Sequence, residues 1–202
     1  MISSPGRPRD EQSRKSILQA TFRLLRERGY ESLALEGVAR EAGVGKTTIY
    51  RWWAGRAALA VDAFFDETVT ELSFPETGSA SEDFRQQIQQ LAKLLRSERG
   101  EVLAALIIGS RTDKDLVESI QQYWVRPRKE WGFARMMRAI TEGECVAELN
   151  VPCALESLYT PLYARLFLGI PVHSAREINR HCDFLFPSIF RAPSWTGAKA
   201  DS

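Results

Sequence analysis

Apolar residues recur along this chain at helical spacing, and nowhere do they alternate convincingly as in a half-buried strand. Ile17, Ala20 and Leu24, with Leu18, Phe22 and Leu25 beside them, predict a first helix over 10–28, ended by Gly29 as its C′ residue. Two short helices follow, 35–42 and 46–53, on either side of Ala42-Gly43-Val44-Gly45. A helix over 55–72 carries Leu59, Ala60, Ala63, Phe64 and Val69 inward, and 73–80, with Pro75, Gly78 and Ser79, reads as a loop and hinge. Ser81 is the expected cap of a helix to about residue 97, with Glu82 and Asp83 complementing its dipole. Val102, Leu103, Leu106 and Ile107 mark a helix over 98–110, and a long one from Asp113 to Gly143 should bend at Pro127. After a connection over 144–151, Pro152 opens a helix to Leu168. Gly169-Ile170-Pro171 makes a turn, and Ser174 with Glu177 forms a capping box for a last helix to about Arg191. The fold class is therefore all-α, about nine helices, with tails over 1–9 and 192–202 expected to be disordered.

The segment over 29–56 is the most informative. A short helix, a Gly-containing turn and a second short helix make the helix-turn-helix pattern, whose second helix lies in the DNA major groove. This divides the chain into a head, 10–56, and a helical body, 57–191.

Charge supports that division. The net charge of +1 is the balance of +5 over residues 1–60 and −4 over 61–202. A basic head on a mildly acidic body suits an anionic polymer at one end. No apolar run reaches the ~18 residues of a membrane span, and the polar N-terminus is not a signal peptide, so the expected location is cytoplasmic. Three scattered cysteines, Cys145, Cys153 and Cys182, fit reduced thiols better than a disulfide framework.

The head resembles the tetracycline-repressor (TetR/AcrR) family of bacterial transcription regulators. The matching residues are Ile17, Ala20, Phe22, Leu25, Gly29, Tyr30, Val38, Ala39, Ala42-Gly43-Val44, Thr48-Ile49-Tyr50 and Trp53, with Arg56 and Leu59 at a basic and an apolar position. The match is tight over 14–60. Beyond it helix pattern and size agree, and Leu158-Tyr159-Thr160-Pro161-Leu162-Tyr163 resembles the eighth helix of one actinobacterial-type subgroup. There are departures. Ala34 stands where the family has a capping Ser or Thr, a loss of roughly 1 kcal/mol. Arg51-Trp52 replaces a His-Tyr-like pair, Gly55 a capping Ser, and Arg56 a Lys.

On a helical period Ile49 and Trp53 share the core side of the second short helix, while Lys46, Thr47, Tyr50 and Arg51 share the other. The resemblance assigns Thr48 and Tyr50 to phosphates, with Arg56 joining them from the next helix's N-terminus. Lys46, Thr47 and Arg51 are the candidates for base edges, since Lys and Arg suit guanine acceptors and a Thr methyl suits thymine. Trp52 could pack on a sugar or a thymine methyl. Arg7, Arg9, Arg14 and Lys15 read either as a groove-seeking arm or as a solvated tail.

In the body, Tyr123, Trp124, Trp131, Phe133, Met136 and Met137 gather on the long helix, either as core or as the lining of an apolar ligand pocket. Tyr123, Trp124, Trp131, Met136 and Tyr163 are the ligand-contact candidates, with Arg111, Asp113 and Gln122 as further polar ones. Leu155, Leu158, Leu162 and Leu166, with Ile178, Cys182, Leu185 and Ile189, form apolar stripes on the last two helices that suit a four-helix homodimer interface. Tyr159, Tyr163, Phe167, Phe186 and Phe190 are then the set facing inward. No catalytic constellation is present: His173 and His181 lack neighbours at metal-ligand spacing, and no G-x-S-x-G, Walker A or G-x-G-x-x-G string occurs. The sequence thus implies neither metal nor cofactor. It reads as a dimeric repressor on a palindromic operator, released or altered by a small apolar or aromatic effector. The rival is a helical protein-interaction or ligand-binding module with no sequence-specific DNA role.

Overall fold

Each predicted helix forms, and local chemistry decides where it ends. The structure, a computed structural model, describes residues 7–68 and 74–191. The elements are α1 (Arg7–Arg28), α2 (Leu35–Ala42), α3 (Lys46–Tyr50), α4 (Arg56–Asp66), α5 (Ala80–Leu95), α6 (Glu98–Gly109), α7 (Lys114–Ile120), a π-helical turn (Gln121–Val125), α8 (Arg126–Thr141), α9 (Val151–Phe167) and α10 (Ala175–Leu185). Residues 7–9, expected in a disordered tail, belong to the first turn of α1. The rest of that tail, the tail over 192–202 and Val69 lie outside the described residues.

Four ends differ from the sequence expectation. Helix α4 stops at Asp66, where the buried Thr68 hydroxyl turns back to the Phe64 carbonyl at 3.0 Å. Helix α5 begins at Ala80, with Ser79 rather than Ser81 at the N-cap position but making no side-chain cap; the Ala80 N–H donates instead to the Glu144 carboxylate at 2.7 Å. That partner lies 64 residues away, so local sequence gave no sign of it. Helix α3 is short, continuing through Arg51 and Trp52 only as a turn. Helix α10 ends at Leu185, before Pro187, and the chain then pairs in an isolated antiparallel bridge between Cys145 and Phe190.

The bend expected at Pro127 takes the form of the π-helical turn immediately before it. Proline offers no N–H and its ring crowds the carbonyl four residues earlier, and one wider turn relieves both. From Asp113, whose side chain accepts the Leu116 N–H at 3.1 Å, the chain is therefore helical to Thr141 without a break. The capping box at Ser174 and Glu177 forms as expected.

Helix α1 packs on α2 and α4, and α4 meets α6, α7 and the π turn. Helices α5, α6, α8 and α9 enclose the body, with α10 against α5 and α9. That enclosure corrects the predicted dimer surface. Leu158, Leu162, Ile178, Cys182 and Ile189 are buried within the protomer, at most 3% exposed, and Leu155, Leu166 and Leu185 pack partly buried against the same core. With neighbours on several sides, α9 hides more than one apolar stripe, and periodicity cannot say which stripe remains outside. Phe186 and Phe190 do face inward, whereas Phe167 is exposed.

One buried ion pair holds the body together. Arg135 on α8 donates to Asp83 on α5 at 2.7 Å, and neither side chain is more than 5% exposed. Burial alone would raise the Asp83 carboxyl, but bonds from Thr77 and the Arg135 guanidinium hold it below its ordinary range.

Candidate nucleic-acid interface and body cavity

The turn between α2 and α3 depends on Gly43, which sits in the left-handed region at φ +66° and donates back to the Ala39 and Arg40 carbonyls. Ala34 precedes α2 in an extended conformation with no side-chain cap, as its methyl dictates. Ile49 and Trp53 bury themselves in the core, as the period requires. Trp53 is held further: its indole N–H donates to Asp62 of α4 at 2.9 Å, and Arg14 of α1 reaches the same carboxylate at 2.7 Å. Arg14 is thus a brace between helices, not part of a free arm. These two bonds, with the burial of Ile49 and Trp53, fix the second short helix against α1 and α4.

Fixing the inner side leaves the outer side to solvent. Lys46, Thr47, Tyr50, Arg51 and Trp52 are exposed and Thr48 is half-buried. Two cations here are held by exposed carboxylates: Lys46 donates to Glu36, and Arg51 pairs with Asp10 at 2.6 Å. Each also lies over a ring of the same surface, Lys46 over Tyr50 at 5.7 Å and Arg51 over Trp52 at 5.6 Å. Solvent-exposed pairs are weakly held and screened by salt, so stronger phosphate or base-edge acceptors can take the place of Glu36 and Asp10. The result is a rigid ridge with exchangeable cations and two exposed aromatic rings.

Arg56 has a different environment. Its guanidinium meets Asp113 at 3.1 Å and lies 4.5 Å from the centroid of the buried Tyr30 ring, while the Tyr30 hydroxyl donates to the same carboxylate oxygen at 2.6 Å. Arg56 is thus engaged at the joint between the head and α7, and a phosphate contact from it would compete with Asp113. The Tyr30 hydroxyl, and the Leu116 N–H and Arg56 with it, hold the Asp113 carboxyl below its usual range. Burial, then the bond to Asp113, pushes the Tyr30 phenol upward. Gly109 completes the joint, since a Cβ there would stand 2.6 Å from the Tyr30 ring. Sequence reading placed Asp113 only as a helix start and a loosely assigned ligand contact.

Behind this joint the body holds a cavity of about 590 Å³, partly open to solvent. Trp124, Trp131 and Tyr163 line it, as expected. Tyr123 and Met136 do not. Tyr123 is exposed, one residue and about a quarter turn from Trp124, and Met136 is core, its sulfur 3.8 Å from Cys145 Sγ. Ile107, Val117, Ile120 and Leu155 supply apolar walls, and Gln87 and Tyr159 supply polar ones, joined at 2.6 Å by the Tyr159 hydroxyl donating to Gln87. Arg128 also lines the cavity; it lies beside the Trp124 ring, and its surroundings of buried apolar groups lower its pKa to about 10. Gln87, Tyr159 and Arg128 were not singled out as ligand contacts from sequence, because an arginine or glutamine on a helix reads as solvated.

Residues 17–63 match the sequence profile of the tetR family of bacterial regulatory proteins, and residues 74–184 match that of the tetracyclin repressor-like C-terminal domain. The HTH-type transcriptional regulator YdeS of Bacillus subtilis is 33% identical over 83% of this chain and 85% of its own. The DNA-binding transcriptional repressor TetR of Mycobacteroides abscessus is 26% identical over 83% and 88%. Among solved structures, the TetR family transcription regulator SCO0332 superposes with a TM-score of 0.74 at 28% identity, over 89% of this chain and 100% of that one.

Proposed function

Since the chain belongs to the TetR family of transcriptional regulators, a non-enzymatic class, we propose that it is a dimeric repressor whose α3 ridge reads a two-fold symmetric operator and whose cavity holds the effector that releases it. The observation that carries this reading is the exposed ridge of Lys46, Thr47, Tyr50, Arg51 and Trp52, held rigid from behind by Ile49, Trp53 and Asp62. Thr48 and Tyr50 serve the phosphates, Lys46, Thr47 and Arg51 the base edges, and Trp52 a sugar or thymine methyl. The head comprises residues 10–56 and the body 57–191.

Removing Lys46 and Arg51 together, as the double alanine variant, should abolish sequence preference. A dimer then loses four cations, and the slope of log affinity against log salt should fall by up to about 3.6 units, to the extent that these cations displace counter-ions. Fluorescence anisotropy with a labelled duplex reads both. A variant with unchanged affinity and unchanged slope would move the DNA site off α3.

Communication runs through the Tyr30–Arg56–Asp113 joint. Val117 and Ile120 of α7 line the cavity, and Asp113 caps the same helix. A ligand that shifts α7 therefore acts on Arg56 at the start of α4 and on Tyr30 at the end of α1. Asp113→Asn keeps a cap oxygen but removes the charge. It should leave ligand affinity within about twofold while cutting the ligand's effect on DNA affinity severalfold, since coupling energies are of the order of 1–3 kcal/mol. Full ligand-driven release in this variant, measured by the same titration, would place the lever elsewhere.

A further inference from the structure

Three donor nitrogens on residues that line the body cavity have no acceptor. Trp124 Nε1 and the Nε and Nη2 atoms of Arg128 are buried without a hydrogen-bond partner among the described residues, and both residues line the cavity. The Tyr163 hydroxyl is a neighbour of the indole, but not in hydrogen-bond geometry to Nε1. Arg128 is not idle elsewhere. Its Nη1 donates to the Trp124 carbonyl at 3.1 Å, and its guanidinium carbon stands 3.2 Å from the Trp124 ring centroid. One face and one corner of the guanidinium are thus used, and the Nε–Nη2 edge is left. That edge carries two parallel N–H bonds, the fork that matches a carboxylate in a bidentate pair.

The charge around it is equally one-sided. Among the described residues no carboxylate pairs with Arg128, and the one electrostatic neighbour that favours its charge is Tyr163. With a pKa near 10 the group remains protonated at neutral pH. The lining contains a second cation, Lys129, and one carboxylate, Glu156, both exposed to solvent. Arg128 is part-buried as a residue, but its Nε–Nη2 edge is buried; a cation held out of water without a counter-ion is costly to keep, and buried donors without acceptors are few in native proteins. A ligand that brings an acceptor with negative charge removes both deficits together.

We propose that the cavity binds an organic anion, a carboxylate on an apolar or aromatic body, with its oxygens on the Nε–Nη2 edge of Arg128 and at Trp124 Nε1. The apolar body lies against Ile107, Val117, Ile120 and Leu155, in a volume of about 590 Å³ that suits a drug-sized molecule. This deepens, and rests on, the reading of the cavity as the effector site. It also gives that effector a handle: Arg128 and Trp124 lie on the one helical run that starts at Asp113, so pairing at Arg128 pulls on the element that meets the head.

The test uses calorimetric titration of the full chain with matched acids and neutral analogues: octanoate and octanol, decanoate and decanol, 2-naphthylacetate and its amide. At least one acid should bind about tenfold or more tightly than its neutral partner, because only the acid satisfies the charged fork. Arg128→Met should bring that ratio near one without weakening the neutral partner, and the empty variant should melt at or above the wild-type temperature. Arg128→Lys, which keeps the charge and loses the fork, should retain an intermediate preference. The proposal is overturned if no acid of the set is preferred, if the preference survives Arg128→Met, or if the empty Met and Lys variants both melt well below wild type, which makes Arg128 a structural group. Operator titrations with the same compounds separate the two readings. Neutral compounds that release DNA, with no acid preferred, end the anion assignment and keep the effector site; acids that bind through Arg128 without changing DNA affinity do the reverse.

Discussion

Arg135→Met should destabilise the protein by about 3–5 kcal/mol, the cost of leaving a buried charge without its partner. Asp83 is fully buried, and among the described residues its hydrogen-bond partners besides Arg135 are the N–H and hydroxyl of Thr77 alone. For a chain of this length the loss corresponds to a drop in melting temperature of about 6–20 °C. The pH dependence has a definite sign. Asp83 is held below its ordinary carboxyl range, so its contribution is present above that range and is lost as the pH falls through the lowered value. Without Arg135 the carboxyl rises, and acid unfolding should begin at a higher pH. The double variant Asp83→Leu, Arg135→Met should recover most of the loss, since an apolar pair can replace a buried ion pair. Urea unfolding measures all three. A single-variant loss under about 1 kcal/mol would mean that water reaches Asp83 and that the pair is no staple between α5 and α8.

The second large effect is expected at the outer side of α10. Phe184 is 82% exposed, an aromatic ring left in water, and Arg180 and Pro187 share its face at i−4 and i+3. Ala164 near the end of α9 and Leu168, the residue just beyond it, are exposed four residues apart. In the proposed dimer these positions, rather than the leucine stripe buried in the protomer, would supply the four-helix interface. Phe184→Asp should give a monomer by light scattering. Operator affinity should fall by a factor of about 10²–10⁴, because the second head is then no longer bound at high effective concentration. A variant that remains dimeric would shift the interface to another surface, and one that is monomeric with full operator affinity would remove the dimer from the mechanism.

The parts that could be read from sequence are those whose causes are local. Gly43, Ile49 and Trp53 state the turn and the inner side of α3 within a dozen residues, and the ridge they support follows from the helical period. The Ser174–Glu177 box and Pro152 likewise announce the starts of α10 and α9. What could not be read depends on partners far along the chain. Arg135 finds Asp83 across 52 residues, Arg56 finds Asp113 across 57, and Ala80 is capped by Glu144 across 64. In sequence each of these charges looks like a solvated helix face. The choice of dimer face failed for a related reason. Helix α9 carries Leu158 and Leu162 on one line and Tyr159 and Tyr163 beside it, and only the packing of α5, α6, α8 and α10 around it covers both.

The most direct test of the central claim is selection of duplex DNA from a random library by the wild-type protein at physiological salt. The account predicts enrichment of one motif with two-fold symmetry, its half-sites centred one or more helical turns apart, about 34–36 Å per turn. Enrichment of no motif, with binding that depends on salt alone, would contradict it.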